Sequence, residues 1–90
     1  MTENKDRKIT WKSKGTNVYV NDIYAGYIDE MPSGAWYGRV YFDDGYNKMT
    51  SFDITYDKKY MQQHVEGFIN QNFDNVYQTA LEVQERNKKK

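Results

Sequence analysis

The sequence predicts an α+β fold, an antiparallel meander of four to five strands followed by one or two C-terminal helices packed on one face. Apolar and polar residues alternate over the first sixty residues, which is the period of half-buried strands. From Met61 onward the apolar residues recur every three to five positions, which is typical of an amphipathic helix. Ninety residues without cysteine predict one domain and exclude a disulfide framework.

The domain is expected to span residues 1–90. Residues 1–7 are expected to be frayed, 8–56 to form the sheet, 58–86 to be helical and 87–90 to form a basic tail. No apolar run approaches the ~20 residues that cross a bilayer, and no signal-peptide pattern opens the chain. We therefore expect a soluble cytoplasmic protein with no membrane partner.

The first three strands are predicted from alternation and turn residues. Residues 8–14 alternate apolar with polar, and Val18 and Val20 give the second strand its apolar face. Asn21-Asp22 favours a tight turn because both residue types tolerate left-handed backbone. The strand Ile23–Ile28 then returns, and its Gly26 indicates a bulge or a close contact.

Two more strands are predicted beyond the loop at residues 31–34. In the first, Gly38 and Val40 share a face with Trp36 and Phe42, whereas the alternate positions point the other way. Asp43-Asp44-Gly45 ends that strand. The last strand is predicted over Met49–Tyr56, with its apolar residues Phe52, Ile54 and Tyr56 in phase.

The helical segment allows two arrangements. Asp57 is a suitable N-cap for it. Residues 70–75 contain many weak helix formers, so the helix either breaks there, with Asp74 capping a second helix, or continues. A single helix from Lys58 to Arg86 would be about 44 Å long at 1.5 Å per residue. Its far half would extend past the sheet and would need a partner, most simply a second copy.

The sequence does not contain a pattern typical of catalysis. The single histidine, His64, is predicted to pack at the edge of the helix, and no serine lies in a nucleophile-elbow motif. The carboxylate pairs Asp29-Glu30 and Asp43-Asp44 flank turns, where Asp is common for local hydrogen bonding. We predict no enzymatic activity, no catalytic residues, no metal site and no cofactor.

Binding residues are predicted on the sheet face opposite the helices and at the basic ends. Tyrosine and arginine are enriched at protein-binding hot spots, and tyrosine also stacks on unpaired bases. The predicted binding residues are Lys8, Lys12, Lys14, Tyr19, Tyr37, Arg39, Tyr41, Lys88, Lys89 and Lys90.

The zero net charge hides a segregation of charge along the chain. Residues 1–14 carry +3 and residues 86–90 carry +4, whereas residues 15–85 carry −7. Basic ends suit phosphate contacts, but the acidic body repels a polyanion. The string from Tyr37 to Phe42 partly matches the RNP1 pattern of RNA-recognition sheets, with Arg39 where an aromatic residue should stand.

In size and composition the chain resembles the small accessory proteins of T4-like phages. Lysine, asparagine and tyrosine supply 27 of the 90 residues, as expected of an AT-rich genome. Many of those phage proteins bind and block a host defence factor. The resemblance implies stoichiometric inhibition of a host protein or toxin in the host cytoplasm, and it carries over no site residue.

The sequence thus favours a small binding or inhibitor protein that engages a partner protein through its Tyr/Arg/Lys sheet face. The alternative is an RNA or single-stranded DNA binding module that uses the basic ends and the tyrosines. A further alternative is a structural homodimer assembled through the C-terminal helix.

Overall fold

The computed structural model describes residues 7–88, with the Lys88 side chain left out, so the predicted site residues Lys89 and Lys90 lie outside the described residues. Five strands precede two helices, which confirms the predicted α+β fold: β1 (Ile9–Lys12), β2 (Asn17–Val20), β3 (Ile23–Glu30), β4 (Trp36–Tyr41), β5 (Met49–Thr55), α1 (Lys58–Gln71) and α2 (Phe73–Lys88).

The strands form one antiparallel meander in the order β1-β2-β3-β4-β5. Helix α1 packs on β4 and β5, and α2 packs on β3 and β4. The core lies between the sheet and the helices. Its fully buried side chains include Val18, Val20, Ile28, Val40, Met61, Val65, Ile69 and Val76.

β1 is shorter than the predicted strand. It ends at Lys12, whose carbonyl oxygen accepts hydrogen bonds from the backbone N–H groups of Gly15 and Thr16. Ser13 and Lys14 adopt φ angles of 57° and 62°, which belong to a turn. The prediction that Lys14 projects from this strand was therefore wrong.

The turn between β2 and β3 has the predicted character. Asn21 and Asp22 have φ angles of 48° and 70°, and two successive positive φ values define the type I′ turn that suits a two-residue hairpin. The Asn21 side-chain oxygen also accepts a hydrogen bond of 3.0 Å from the Lys8 backbone N–H. The turn thus holds the start of β1 in place.

β3 contains the bulge that Gly26 indicated. Val18 pairs with Gly26 and Tyr19 pairs with Tyr24, so Ala25 is an extra residue without its own partner on β2. A Cβ at Gly26 would collide with the backbone carbonyl oxygen of Arg39 on the neighbouring strand. Only glycine allows β3 and β4 to approach this closely.

A second irregularity corrects the prediction for the last strand. Phe52 pairs with Gly38 and Thr55 pairs with Trp36, so two β5 residues stand opposite one β4 residue. This shift takes Ile54 out of phase with Phe52. Ile54 is 53% exposed and Tyr56 is 74% exposed, so neither side chain belongs to the core.

The helical segment breaks into two helices at Asn72. Asp57 caps α1 as predicted, and its carboxylate accepts hydrogen bonds from the backbone N–H groups of Lys59 and Tyr60. The carbonyl oxygen of Asn72 accepts the first hydrogen bond of α2, from Val76. Asn72 rather than Asp74 is therefore at the capping position, and Asp74 lies in the first turn of α2.

The sheet curls around α1. The Gln62 side-chain amide donates a 2.9 Å hydrogen bond to the carbonyl oxygen of Gly15, in the β1–β2 turn. The indole N–H of Trp11 donates to the carboxylate of Glu66. On the far side of the helix, the Phe68 ring lies 5.3 Å from the Phe52 ring of β5. Both ends of the sheet thus contact the same helix.

We predict that Gly26→Ala lowers the free energy of unfolding by about 2 kcal/mol or more, because strain of this kind in a packed strand costs 1–3 kcal/mol. Gly38→Ala is the matched control on the adjacent strand. A Cβ there would meet Ile28 Cγ2 and Met61 Sδ at 3.1 and 3.2 Å, so two side chains rather than backbone would have to shift slightly. Urea denaturation measures both, and equal losses would contradict the proposed backbone collision.

Candidate binding face of the sheet

The candidate face is the side of the sheet turned away from the helices. Gly38 and Val40 of β4 are buried toward the core, so the alternate residues of this strand lie on the other side. Those residues are Tyr37, Arg39 and Tyr41, as predicted. Arg39 is exposed, and the two tyrosines are half-buried.

Two tyrosines that were not among the predicted site residues belong to the same surface. Tyr24 pairs with Tyr19, and Tyr27 pairs with Arg39. Their spacing of three would place them on opposite faces of a regular strand, but the extra residue Ala25 brings them back into phase. The bulge signal at Gly26 was the one feature of the sequence that could have revealed them.

A row of contacts crosses four strands near one end of this face. Lys12 Nζ lies 4.6 Å from the centre of the Tyr19 ring. The Tyr19 and Tyr24 rings are 5.6 Å apart, and the Tyr24 and Tyr41 rings are 6.0 Å apart, both edge to face. We call Lys12, Tyr19, Tyr24 and Tyr41 the tyrosine row. Burial and the neighbouring Tyr41 hydroxyl raise the pKa of Tyr24, so its hydroxyl stays protonated and able to donate.

A second group lies around Arg39. The Tyr27 and Tyr37 rings meet edge to face at 6.2 Å, and the Tyr37 hydroxyl donates a 3.4 Å hydrogen bond to Asp29. Partial burial and the negative charge of Asp29 raise the pKa of Tyr37. A groove of about 380 Å³ runs beside these residues. We call this the arginine groove, and its lining residues include Tyr27, Met31, Tyr37, Arg39, Ser51 and Phe52.

One corner of the face reaches the C-terminal half of α2. Tyr24 and Tyr41 line a pocket of about 270 Å³ together with Val83 and Gln84 of that helix. Tyr41 also packs against the hydrophobic core. The predicted residue Tyr41 is therefore less available than Arg39, and the arginine groove is the more accessible part of the face.

Lys8, Lys12 and Lys14 do not form one cluster. Lys12 belongs to the tyrosine row, whereas the ammonium group of Lys8 lies 3.6 Å from the Asp22 carboxylate. The backbone of Lys14 lies beside α1, where its carbonyl oxygen accepts a 2.6 Å hydrogen bond from Lys58. Lys88 ends α2. The structure thus brings Lys12 together with the tyrosines, whereas Lys8 and Lys14 make their contacts elsewhere.

The Asp43-Asp44 pair stabilises its own loop. Asp44 accepts hydrogen bonds from the backbone N–H groups of Tyr46 and Asn47, and Asp43 accepts from Gly45 and from Lys48. Within residues 7–88, no group of three or more His, Asp or Glu side chains is arranged to hold a metal ion. His64 is exposed on α1, and its ring lies 4.7 Å from the Tyr60 ring, as expected of a packing residue.

No protein family model matches the chain, and no curated protein or solved structure matches it. Neither helix in the described part of the chain has the length and apolar content needed to cross a membrane. The function is therefore argued from the arginine groove, the tyrosine row and their surroundings.

We predict that the protein loses stability in acid, because the loop from Asp43 to Lys48 holds two ionised carboxylates. Hydrogen bonds from Lys48 and Gly45 lower the pKa of Asp43, and those from Asn47 and Tyr46 lower the pKa of Asp44. A carboxyl group whose pKa is lower in the folded state than its unfolded value of about 4 stabilises the fold at any pH above that value. This stabilisation is lost as the pH falls through the pKa of the folded state. We expect the free energy of unfolding to fall between pH 5 and pH 2, with a shallower fall in Asp44→Asn. Equal slopes in the two proteins would contradict this account of Asp44.

Proposed function

We propose that this protein is a small non-enzymatic binding protein that engages a partner protein through the arginine groove and the tyrosine row. The observation that carries the proposal is the gathering of Arg39, Tyr27 and Tyr37 on the part of the sheet face that the helices leave uncovered, next to the tyrosine row. Tyrosine supplies a large contact area with few rotatable bonds, and arginine supplies a planar set of donors.

Contacts within the face hold the binding residues in place before a partner binds. Tyr27 and Tyr37 hold one another edge to face, and Asp29 accepts a hydrogen bond from Tyr37. Side chains already held in place lose less conformational entropy on binding. Arg39 stands beside them as an exposed cation, suited to a carboxylate or a carbonyl group of the partner.

Binding of RNA or single-stranded DNA has less support. Bases stack on open ring faces, whereas Tyr19, Tyr24 and Tyr41 contact each other edge to face and Lys12 lies over Tyr19. The Asp29 carboxylate adds negative charge beside Tyr37. Phosphate binding would need several available cations on this face. The Lys8 ammonium group lies 3.6 Å from the Asp22 carboxylate, so it is partly neutralised.

The third alternative, a homodimer through the C-terminal helix, depended on one long helix extending past the sheet. The break at Asn72 removes that premise. Val76 is fully buried in the protein's own core, so Val76→Asp would unfold the domain rather than separate two copies. Leu81 is half-buried on α2, so Leu81→Asp is the better test of that interface.

We expect Arg39→Glu and Tyr37→Ala to abolish binding of the partner without unfolding the domain, because both side chains lie on the open face. Lys59→Glu is the matched control, since Lys59 is exposed on α1 and its charge change equals that of Arg39→Glu. The measurement is affinity capture from lysate of the native host, with wild type and the three variants compared side by side. Wild type and Lys59→Glu should recover the partner protein, and the other two variants should not. Recovery of the same proteins with all four would contradict the proposal.

Fluorescence anisotropy with labelled RNA and single-stranded DNA tests the alternative. We expect no saturable binding at about 50 mM salt. Strong binding that falls by orders of magnitude at about 200 mM salt would instead support the nucleic-acid hypothesis. If a protein is captured, its identity decides whether the partner is a host defence factor, as the phage-like composition implies.

A further inference from the structure

The pocket where the tyrosine row meets α2 is separate from the arginine groove. We call it the corner pocket; its volume is about 270 Å³, and its lining residues are Tyr24, Tyr41, Ala80, Val83, Gln84 and Asn87. None of these residues also lines the arginine groove. Tyr24 belongs to β3 and Tyr41 to β4, so the pocket forms only when α2 packs on this end of the sheet.

The α2 side of the corner pocket changes from apolar to polar along the helix. Positions 76, 80, 83, 84 and 87 are three, four or seven residues apart and share one side of the helix. Val76 and Ala80 are buried in the core, Val83 and Gln84 are half-buried, and Asn87 is exposed. The side of α2 that faces the core therefore ends in two amide groups. Because Ala80 and Val83 are short, they leave space beside the tyrosines.

The two amides are available to a ligand. In the described chain, the amide and hydroxyl side chains of α2 that form hydrogen bonds are those of Asn75 and Thr79, in the first half of the helix. Gln84 and Asn87 lie at the other end. Each amide carries an acceptor oxygen and a donor nitrogen side by side. Together they can pair with a ligand edge that presents a donor next to an acceptor.

The remaining lining favours a neutral, planar ligand. No charged residue of the described chain lines the corner pocket, so a charged group would lose hydration there without gaining a counter-charge. Tyr24 and Tyr41 supply aromatic rings, which pack favourably against another aromatic ring. Burial raises the pKa of Tyr24, so its hydroxyl remains a donor at neutral pH.

The volume limits the ligand to about two fused rings. A cavity of roughly 150 Å³ holds benzene, so a pocket of about 270 Å³ holds about ten non-hydrogen atoms. We propose that the corner pocket binds a neutral bicyclic heteroaromatic compound of the purine type, with its polar edge on the amides of Gln84 and Asn87. Glutamine and asparagine recognise adenine in this way, through its amino group and the adjacent ring nitrogen. A free base carries no phosphate, so the acidic body of the chain does not repel it.

The experiment is titration of the ¹⁵N-labelled full chain with adenine, monitored through the backbone amide signals in NMR spectra. We expect saturable shifts at the lining residues with a dissociation constant of about 1 mM or lower, as is usual for a ligand of this size in an open pocket. Unsubstituted purine is the matched ligand, since it has the same two rings without the amino group. It should bind at least fivefold more weakly than adenine.

Variants test the two halves of the pocket. Gln84→Leu removes one amide and should weaken adenine at least fivefold, with a smaller change for purine. Val83→Phe fills the space and should weaken both ligands at least tenfold. Gln78→Leu is the control, because it makes the same substitution as Gln84→Leu at an exposed position on the same helix that does not line the pocket. It should leave the adenine affinity within twofold of wild type.

Thermal unfolding without ligand separates binding from stability. Gln84→Leu and Val83→Phe should keep the melting temperature within a few degrees of wild type, because both positions are half-buried and the added apolar atoms enter the pocket. Wild-type spectra without saturable shifts at about 5 mM adenine overturn the proposal. Purine binding as tight as adenine binding, or equal adenine affinities in Gln84→Leu and Gln78→Leu, also overturns it. Partner capture by the arginine groove is measured separately, so either proposal can fail alone.

Discussion

The packing of α1 into the curl of the sheet is the constraint on which the rest of the structure depends. Met61, Val65 and Ile69 fill the concave side and are at most 1% exposed. Roughly 2 kcal/mol of stabilisation accompanies full burial of each such side chain, so this helix determines which face of the sheet is covered. The tyrosines and Arg39 remain on the convex side because the apolar residues of the same strands take the concave side.

Two one-residue irregularities decide what each surface contains. The extra Ala25 in β3 brings Tyr24 and Tyr27 onto one face, which enlarges the binding surface beyond the residues of β4. The extra residue in β5 moves Ile54 out of the core. A bulge costs local hydrogen bonds, but each bulge here redirects a side chain that the regular strand would have placed elsewhere.

Three strands contribute to the arginine groove. Tyr27 lies on β3, Tyr37 and Arg39 lie on β4, and Ser51 and Phe52 lie on β5. Hydroxyl groups, a guanidinium and aromatic rings are therefore brought together only when these strands pair in their native register.

The sequence by itself determined the order of the elements, the tight turn at Asn21-Asp22, the Asp57 cap and the core face of β4. These features depend on local residue preferences and on periodicity, which can be read over a few neighbouring positions. Tertiary structure decided the break at Asn72, the phase of β5 after its bulge and the separation of Lys8 and Lys14 from the tyrosines. The phase of β5 and the position of Lys14 depend on contacts with residues distant in sequence, such as Trp36 opposite Thr55 and Lys58 beside Lys14. The alternation of residues along a strand predicts which side chains are buried only up to a bulge. The pairing with the neighbouring strand determines where that bulge lies.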